Sequence, residues 1–440
     1  MSTIAAISTP VGAGGIGIIR VSGEDALRIA DAIFVCKGKP CAERLAGDPA
    51  RMCFGEFVAE DFRDRGYAVY FPAAKSYTGE DTVEFYLHGG VRIMRGALRE
   101  TVKHGAVLAE RGEFTKRAFL SGRMSLADAE GVADMINAES AAGLRAAYRL
   151  MDGSVANAVN AAADELLDVM TGLEAVLDYP EETEDEVLPP LGEKLRSVLD
   201  KLDKLIATAP QGRMAKHGIT VVLAGAPNAG KSSVMNALLG ENRAIVTPIA
   251  GTTRDTVEGR FECDGVLVNL VDTAGLRESD DVVESEGIAR ARKAAQNADL
   301  VLHIIDTTAK ERETLSFGNV RTFNVYNKCD LTSYACPRMY GCFAVSAKDG
   351  TNINLLRRSI AALYSEGATA GGEIITSERH LSALYRAKKA IESAISSLDG
   401  TVDCTLIDLR EAYDALGEIT GKTATEAVVN GIFEKFCVGK

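Results

Sequence analysis

Residues 219–232 read ITVVLAGAPNAGKS, and this stretch decides the fold of the middle of the chain. Its apolar start, ITVVLA, is typical of a buried strand. GAPNAGKS (225–232) then fits the phosphate-loop pattern G-x-x-x-x-G-K-[ST], and the helical sequence SVMNALL (233–239) follows it. The order of strand, glycine-rich loop and helix predicts a nucleotide-binding α/β domain.

The residues of this loop have separate roles in holding a phosphate chain. Gly225 and Gly230 let the backbone wrap around the phosphates, so that successive N–H groups form an anion-binding nest. Lys231 reaches the β- and γ-phosphates and is a candidate catalytic residue, and the Ser232 hydroxyl is predicted to ligate Mg²⁺. The other loop residues predicted to contact the nucleotide are Asn228, Ala229 and Ser233.

Three further motifs, each at the end of an apolar run, predict that the nucleotide is GTP. DTAG (272–275) supplies Asp272, which can hold Mg²⁺ through water, and a glycine N–H for the γ-phosphate. In NKCD (327–330), the Asp330 carboxylate can accept two hydrogen bonds from a guanine edge, a donor pair that adenine lacks. SAK (346–348) can offer backbone N–H groups to guanine O6. The predicted contacts are Asp272, Thr273, Ala274, Gly275, Asn327, Lys328, Asp330, Ser346, Ala347 and Lys348.

The apolar runs predict two α/β regions. Around the four motifs, strand-like runs alternate with helical stretches, which is the pattern of a parallel sheet with crossover helices. Those runs are 219–224, 266–271, 300–305, 323–326 and 342–345. Near the N-terminus, shorter β-rich runs lie between glycine-rich or charged turns. Those runs are 3–8, 17–21, 67–71 and 82–87.

Helical patterns flank the nucleotide region on both sides, with apolar residues spaced three and four apart. The fold class is therefore α/β and α: an N-terminal α/β domain, then a helical domain interrupted by an inserted Ras-like P-loop GTPase domain. The predicted boundaries are 1–116 for the N-terminal domain, 117–215 and 373–440 for the two helical parts, and 216–372 for the GTPase domain. Two independent helical subdomains are the alternative.

The switch region lacks the glutamine that orients water in Ras-like enzymes. GTTRD (251–255) supplies Thr253 as a second Mg²⁺-ligating hydroxyl, with a plain threonine-rich turn as the alternative. Leu276 occupies the glutamine position after DTAG and cannot orient water. Glu284 lies downstream and is the candidate for that task, although its acidic neighbours also fit a solvated acidic face.

A substitute for an arginine finger is also needed. The Asn228 amide oxygen and the backbone carbonyls of the loop at 246–252 predict a site for a monovalent cation. A potassium ion there would place positive charge where an arginine finger acts. Arg254 acting as a finger in cis is the alternative.

Composition limits the class of protein. The 440 residues include 62 acidic and 49 basic side chains, a formal net charge of −13, which argues against a protein that mainly coats nucleic acid. Nine scattered cysteines without a Cys-x-x-Cys pair, and only five histidines, argue against a zinc site. They predict reduced thiols and, without a signal peptide, a cytoplasmic protein. No apolar run is long enough for a membrane span.

Taken together, these motifs closely resemble the MnmE (TrmE) family of tRNA modification GTPases, and the resemblance covers essentially the whole chain. Besides the nucleotide motifs, it rests on four segments: STPVGAGGIGIIRVSG (8–23), SYTGEDTVEFYLHGG (76–90), GEFTKRAFLSGRMSLADAEGVADMI (112–136) and FCVGK (436–440). It implies an N-terminal domain that binds 5-formyltetrahydrofolate or a related folate and forms a homodimer. The implied folate contacts are Arg20, Glu84, Arg123 and Lys440.

The resemblance also implies the cation site and the partner. Potassium contacts fall on Asn228, Thr247, Ile249 and Thr252, the threonines also belonging to the GTP set, and the family's water-orienting glutamate falls on Glu284. The partner is the FAD- and NADH-dependent MnmG (GidA), with which a heterotetramer forms. Together they would add an aminomethyl or carboxymethylaminomethyl group at C5 of the tRNA wobble uridine. GTP hydrolysis, with transient pairing of two GTPase domains, would drive the cycle.

Some positions leave alternatives open. Cys437 matches the family's C-terminal cysteine and is a candidate catalytic residue, although an isolated cysteine is more often inert. Ala13 and Ala226 stand where the family commonly has basic residues. The nucleotide motifs also allow an Era-like ribosome-assembly GTPase, which needs a basic RNA-binding appendage that is not visible. The folate-like domain also allows a stand-alone one-carbon transferase.

Overall fold

The computed structural model divides the chain into two compact units, both built from separate stretches of sequence. Residues 1–133, 150–195 and 389–440 form the first unit, and residues 134–149 and 196–388 form the second. The structure describes residues 1–37, 39–179, 187–240, 259–272 (only the backbone of Asp272), 295–296, 298–309, 317–332, 337, 339–366, 372–398 and 401–440.

A mixed sheet organises the N-terminal part of the first unit; the described residues give it eight strands. The strands are β1 (Ile4–Ile7), β2 (Gly14–Ser22), β3 (Phe34–Cys36), β4 (Lys39–Pro40), β5 (Cys53–Val58), β6 (Arg63–Phe71), β7 (Thr82–Gly89) and β8 (Val107–Leu108). Their order is β4-β3-β5-β6-β7-β2-β1-β8, and β1 pairs with β8 in parallel while the other pairs are antiparallel. The predicted runs correspond to β1, β2, β6 and β7.

The helices α1 (Ala26–Ile33), α2 (Ala42–Gly47) and α3 (Val91–Lys103) cover one face of this sheet. The helix α4 (Glu113–Leu120) packs on the opposite face, where its Phe114 is buried with Ile4 and Ala6 of β1. Ile29 of α1 and Met94 of α3 are buried in one core with Ile19, Ala68 and Phe85 of the strands. Because side chains alternate along a strand, the residues between these positions point to the opposite face of the sheet.

Two cysteines lie side by side in the N-terminal sheet. Cys36 of β3 and Cys53 of β5 have their Cα atoms 6.9 Å apart, and reduced thiols stay a prediction. The strands that carry them are antiparallel neighbours, which brings two buried side chains together although 17 positions separate them in sequence. The sequence shows no Cys-x-x-Cys or other local pattern that would reveal this pair.

Helices dominate the segments on either side of the nucleotide region. The further helices are α5 (Leu126–Asn137), α6 (Ala141–Met151), α7 (Ser154–Asp178), α8 (Leu191–Ala207), α9 (Ala209–His217), α10 (Lys231–Leu239), α11 (Ile353–Glu366), α12 (Glu378–Ser396), α13 (Val402–Thr420) and α14 (Glu426–Phe433). In the first unit, α7 and α13 pack along each other, burying Leu166 and Leu173 of α7 and Leu409 and Leu416 of α13. Helices before and after the insertion therefore pack together, as the predicted single helical domain requires.

The second unit contains the predicted nucleotide-binding sheet, for which the described residues give six strands. They are β9 (Ile219–Ala224), β10 (Gly259–Cys263), β11 (Val266–Asp272), β12 (Leu300–Asp306), β13 (Thr322–Asn327) and β14 (Cys342–Ala344). The order is β10-β11-β9-β12-β13-β14, with every pair parallel except β10 and β11. The predicted parallel sheet is confirmed, and β10 is an antiparallel edge strand that was not predicted.

A continuous core holds this second sheet in place. Leu223 and Ile304 of the strands, Leu238 of α10, and Leu356 and Ile360 of α11 are buried together. The fold class is confirmed, whereas the four domain boundaries stay a prediction. Within the parts of the chain that the structure describes, no helix is long and apolar enough to cross a membrane.

Candidate functional site

The phosphate loop joins β9 to α10 through backbone conformations that few residues adopt. Gly225 has φ 149°, Asn228 has φ 62° and Gly230, the N-cap of α10, has φ 94°. An added Cβ at Gly225 would collide with the carbonyl oxygen of Ile304, and one at Gly230 would collide with the Asn327 side chain. The glycines are therefore required both by backbone angle and by close neighbours, and asparagine is among the non-glycine residues that tolerate positive φ best.

Lys231 is the first residue of α10, directly after the phosphate loop. Its Nζ donates hydrogen bonds to the carbonyl oxygens of Gly225, at 2.9 Å, and Ala226, at 3.0 Å. Ser232 follows it in the first turn of α10, and the helix N-terminus carries a partial positive charge that favours anions. This arrangement suits a phosphate chain, and the Ser232 hydroxyl oxygen is the hard donor that Mg²⁺ prefers.

Asn327, the last residue of β13, connects the loops of the site. Its Nδ2 donates to the carbonyl oxygen of Ala229 at 3.1 Å, and its Oδ1 accepts from the N–H of Ala347 at 3.2 Å. The side chain is only 2% exposed. One buried amide thus ties the phosphate loop to the SAK loop, which is how the NKCD and SAK motifs come to lie beside the phosphate loop.

Lys328, which has φ 64°, follows Asn327 and also contacts the phosphate loop. Its Nζ forms a 2.6 Å ion pair with Asp306 Oδ2 and donates to the Asn228 carbonyl oxygen at 3.1 Å. Burial acts to raise the pKa of the Asp306 carboxyl, but the hydrogen bonds from Lys328 and Thr308 outweigh it and lower that pKa below its ordinary value. The pair therefore stays charged and holds Lys328 flat against the phosphate loop.

Two supporting residues of this site were not predicted. Asp306 ends β12, and the Thr307 hydroxyl donates to the backbone oxygens of Asn327, at 2.9 Å, and Lys328, at 3.0 Å. Both follow the buried run Leu300–Ile305 at the carboxyl end of a parallel strand. Ligands bind at that edge of an open α/β sheet. The position of both residues directly after a predicted strand could therefore have identified them from the sequence.

The other sequence-predicted nucleotide contacts lie partly within the described chain. Ser346 is fully buried, and its backbone N–H bonds the Thr351 oxygen at 3.1 Å. Asp330 lies on the loop that Asn327 begins, Lys348 lies on the SAK loop, and Ser233 lies in the first turn of α10. The predicted residues outside the described chain are Thr247, Ile249, Thr252, Thr253, Thr273, Ala274, Gly275 and Glu284, together with the Asp272 side chain. The alternative finger Arg254 and Leu276 also lie outside it.

A second cluster lies on the face of the N-terminal sheet opposite α1 and α3, beside α4. Arg20 and Glu84 are cross-strand partners on β2 and β7, and Arg20 Nε donates to Glu84 Oε1 at 2.7 Å. The Arg20 guanidinium lies 5.8 Å from the centroid of the Tyr77 ring and 5.5 Å from that of Phe114. The sequence did not predict these two aromatic rings, because residues far apart in the chain bring them to Arg20.

Arg123 and the C-terminal segment lie in the same unit. Arg123 Nη2 donates to the Ala73 oxygen at 2.6 Å, and its side chain passes Gly79, so it borders the loop that carries Tyr77. Val438 forms an isolated bridge with Arg111, and Gly439, with φ 97°, packs against the backbone at Ile7. Gly439 thus lies against the end of β1, while Cys437, which is exposed, accepts through its backbone oxygen from the Gly112 N–H at 3.3 Å. The structure gives no contact of Cys437 or Lys440 with Arg20.

Comparison with known proteins identifies the family. A family model described as the TrmE N-terminus of a GTP-binding protein matches residues 3–123, and one described as the MnmE helical domain matches residues 126–437. Over 457 aligned residues the chain is 42% identical to the tRNA modification GTPase MnmE of Bordetella parapertussis, and the alignment covers 99% of each chain. The chain belongs to the MnmE family. The MnmE proteins of Bordetella bronchiseptica and Bordetella petrii show the same identity over the same length.

Solved structures of GTPases resemble parts of this MnmE-family chain. The FeoB G domain of Methanococcus jannaschii is 26% identical and corresponds to 33% of this chain and 98% of its own, with a TM-score of 0.26. Era of Aquifex aeolicus, solved with GDP and aluminium fluoride, is 25% identical and corresponds to 39% of this chain and 66% of its own, also at 0.26. The strand order, not these two structures, carries the fold assignment. The predicted membership in a family of GTP-hydrolysing enzymes is confirmed.

Proposed function

We propose that this MnmE-family chain is a potassium-stimulated GTPase that takes part in modifying C5 of the tRNA wobble uridine. The observation that carries the nucleotide part is the buried Asn327 amide, which ties the phosphate loop to the loop that would read guanine. Full-length similarity to tRNA modification GTPases supports the tRNA part.

The described residues suit GTP bound with Mg²⁺. The N–H groups of the phosphate loop and Lys231 would take the phosphates, and Lys231 would exchange its two carbonyl contacts for phosphate oxygens. Ser232 would ligate Mg²⁺, with Thr253 as the second hydroxyl. Asp330 would accept the guanine N1–H and N2–H₂ groups, and the remaining contacts are those predicted from the sequence above.

Hydrolysis needs a residue that orients water and a positive charge between the phosphates. Glu284 would orient the water directly or through a second water, since Leu276 cannot. Asn228, already turned to φ 62° at the loop, would contribute its amide oxygen to a K⁺ site with Thr247, Ile249 and Thr252. A cation there would offset the charge that develops on the transferring phosphate.

The N-terminal cluster suits a folate. The Arg20 guanidinium and the aromatic rings beside it would face a pterin or a glutamyl carboxylate, with Glu84, Arg123 and Lys440 as further contacts. Bound 5-formyltetrahydrofolate or a related folate would supply the one-carbon unit. A cytoplasmic homodimer, joined with the FAD- and NADH-dependent MnmG in a heterotetramer, would complete the modification, with Cys437 as an additional candidate catalytic residue.

Turnover of GTP in two salts tests the cation and the water-orienting residue. We expect faster hydrolysis in KCl than in NaCl at equal ionic strength, and a large loss of turnover in Glu284→Ala with GDP affinity retained. Asp280→Ala, in the same acidic segment, is the matched control and should hydrolyse GTP like the unaltered chain. Equal rates in the two salts would remove the potassium site, and unchanged turnover in Glu284→Ala would remove its assigned role.

A further inference from the structure

The face of the N-terminal sheet opposite α1 and α3 carries an aromatic row, which we define as Phe54, Tyr67 and Tyr86. Phe54 pairs with Tyr67 across β5 and β6, and Tyr67 pairs with Tyr86 across β6 and β7. Their side chains alternate with those that pack under α1 and α3, so they lie on the face opposite these helices. Phe54 is 56% exposed and Tyr67 is 43% exposed, which is unusual for neighbouring large rings.

The rings are already arranged as a stacking surface. The Phe54 and Tyr67 ring centroids lie 5.5 Å apart at an interplanar angle of 61°, an edge-to-face contact that holds both rings without covering them. Tyr86 is half-buried and its hydroxyl donates to Glu84 Oε2 at 2.6 Å. The row therefore begins at an open edge and ends beside the Arg20–Glu84 pair.

Cationic and polar groups border the row on its other side. Arg65, two positions before Tyr67 on β6, is exposed, and within the described chain it has no ion-pair partner. His88, two positions after Tyr86 on β7, has a side chain that is 67% exposed. An exposed arginine next to stacking rings is the combination that binds a phosphate together with its base.

His88 is held in one orientation. The carboxylate of Asp64, whose side chain is only 8% exposed, accepts from His88 Nδ1 at 2.6 Å and from the His88 backbone N–H at 2.9 Å. The Asp64 carboxylate occupies Nδ1, so Nε2 is the ring nitrogen left to hydrogen-bond a ligand. A ribose 2′-hydroxyl, which can donate or accept, fits such a nitrogen and distinguishes RNA from DNA.

We propose that the aromatic row, with Arg65 and His88, binds unpaired nucleotides of RNA, namely those of the tRNA anticodon loop. Bases stack on Phe54 and Tyr67, Arg65 contacts a phosphate, and His88 Nε2 hydrogen-bonds a ribose hydroxyl. This inference rests on the proposed function. Because Tyr86 of the row contacts Glu84, a nucleotide bound on the row would lie beside the residues proposed to bind the folate. RNA is favoured over a second copy of this chain because the exposed Arg65 guanidinium and the exposed His88 ring are groups that a phosphate and a ribose hydroxyl satisfy.

Binding of a labelled hairpin to the full chain tests this proposal. The probe is a fluorescein-labelled RNA hairpin that carries an anticodon loop with uridine at the wobble position. Its binding is measured by fluorescence anisotropy. We expect Tyr67→Ala and Phe54→Ala each to weaken binding about 5- to 100-fold, the range found for single base-stacking rings. Arg65→Ala should weaken binding less and lower the salt slope by about 0.7, the value for one phosphate on a single strand. Arg92→Ala and Tyr385→Ala, exposed residues outside this face, should bind like the unaltered chain.

Two further probes separate RNA loop binding from other occupants. The unaltered chain should bind the hairpin more tightly than the same stem as a blunt duplex, and more tightly than a hairpin with a 2′-deoxy loop. His88→Ala should remove the preference for the ribose loop. Circular dichroism of each variant checks that the substituted, exposed positions leave the fold intact.

The opposite results would overturn the proposal. These are hairpin binding that Tyr67→Ala and Phe54→Ala leave unchanged, or equal affinity for hairpin and duplex. A loss of dimer mass in sedimentation without a loss of hairpin binding would assign the row to a second copy instead. If the chain hydrolyses GTP faster in KCl but fails these binding tests, only the RNA-binding proposal is rejected. The proposed GTPase function then stands, because the turnover assay does not depend on the aromatic row.

Discussion

Asn327 is the residue on which the nucleotide site depends most, because one buried amide satisfies groups on two other loops. Without it, the Ala229 carbonyl and the Ala347 N–H would both lose their partner. An unsatisfied buried polar group costs about 1–3 kcal/mol. The amide also approaches Gly230 so closely that no other residue fits there, so the two positions depend on each other.

Asn327→Ala should therefore destabilise the second unit by about 1–3 kcal/mol and weaken GDP binding at least about tenfold. Urea unfolding and calorimetric titration measure the two effects. Asn324→Ala is the matched control on the same strand: its side chain contacts His303, so it should lower stability without a change in GDP affinity. Equal GDP affinity in Asn327→Ala and the unaltered chain would contradict this account of the loop.

At the scale of elements, the turn from β9 into α10 requires two glycines. Gly225→Ala would combine an unfavourable backbone angle with a collision against Ile304, at a cost of about 2–4 kcal/mol. Gly318 also has positive φ, at 69°, but no neighbouring atom lies within 4 Å of an added Cβ. Gly318→Ala should thus cost only about 1 kcal/mol. Thermal unfolding of both variants measures the difference, and equal losses would show that the close approach at Gly225 has no energetic weight.

The first turn of α14 offers a paired test of helix capping. Thr425 caps this helix with its side-chain oxygen, which accepts from Val428 N at 3.4 Å. Thr401 begins α13 without such a bond. Thr425→Ala should destabilise the first unit by about 1 kcal/mol, and Thr401→Ala should change its stability little. Denaturant unfolding of the two variants compares them, and a larger loss in Thr401→Ala would reverse the assignment.

Elements with strong local signals could be predicted, and those set by distant partners could not. β9 and β12 are continuous apolar runs between turn residues, so their positions were predicted to within one residue. β5, CFGEFV, and β10, GRFEC, mix glycine and charge with apolar residues and depend on neighbouring strands for their pairing. The same contrast holds at the sites. Lys231 and Asn327 belong to local motifs, whereas Tyr77 and Phe114 reach Arg20 only through the fold.

At the scale of the whole molecule, the negative charge is unevenly distributed. Residues 117–215 carry 9 basic and 18 acidic side chains, a net charge of −9, whereas residues 1–116 carry 15 of each. Like charge repels phosphate, so the helical segment is a poor surface for tRNA. The N-terminal domain, with its neutral balance and open aromatic row, is the better one.

The uneven charge predicts how tRNA binding depends on salt. The chain alone should bind tRNA weakly, and raising KCl from about 50 to about 200 mM should weaken binding only about threefold, as for a single phosphate contact on a single strand. Addition of the flavoprotein that we propose as the partner should both tighten binding and steepen the salt dependence, because we expect it to be basic and so to neutralise more phosphates. Anisotropy titrations with labelled tRNA measure both slopes. Tight, strongly salt-sensitive binding by the chain alone would contradict the prediction.

Mass spectrometry of wobble nucleosides tests the central claim most directly, because it reports the modification itself. The material is tRNA from a strain in which this chain has been deleted, complemented either with the unaltered chain or with Lys231→Ala. We expect the C5-modified wobble uridine to be lost on deletion, restored by the unaltered chain, and not restored by Lys231→Ala. Normal C5 modification in the deletion strain would contradict the proposed function.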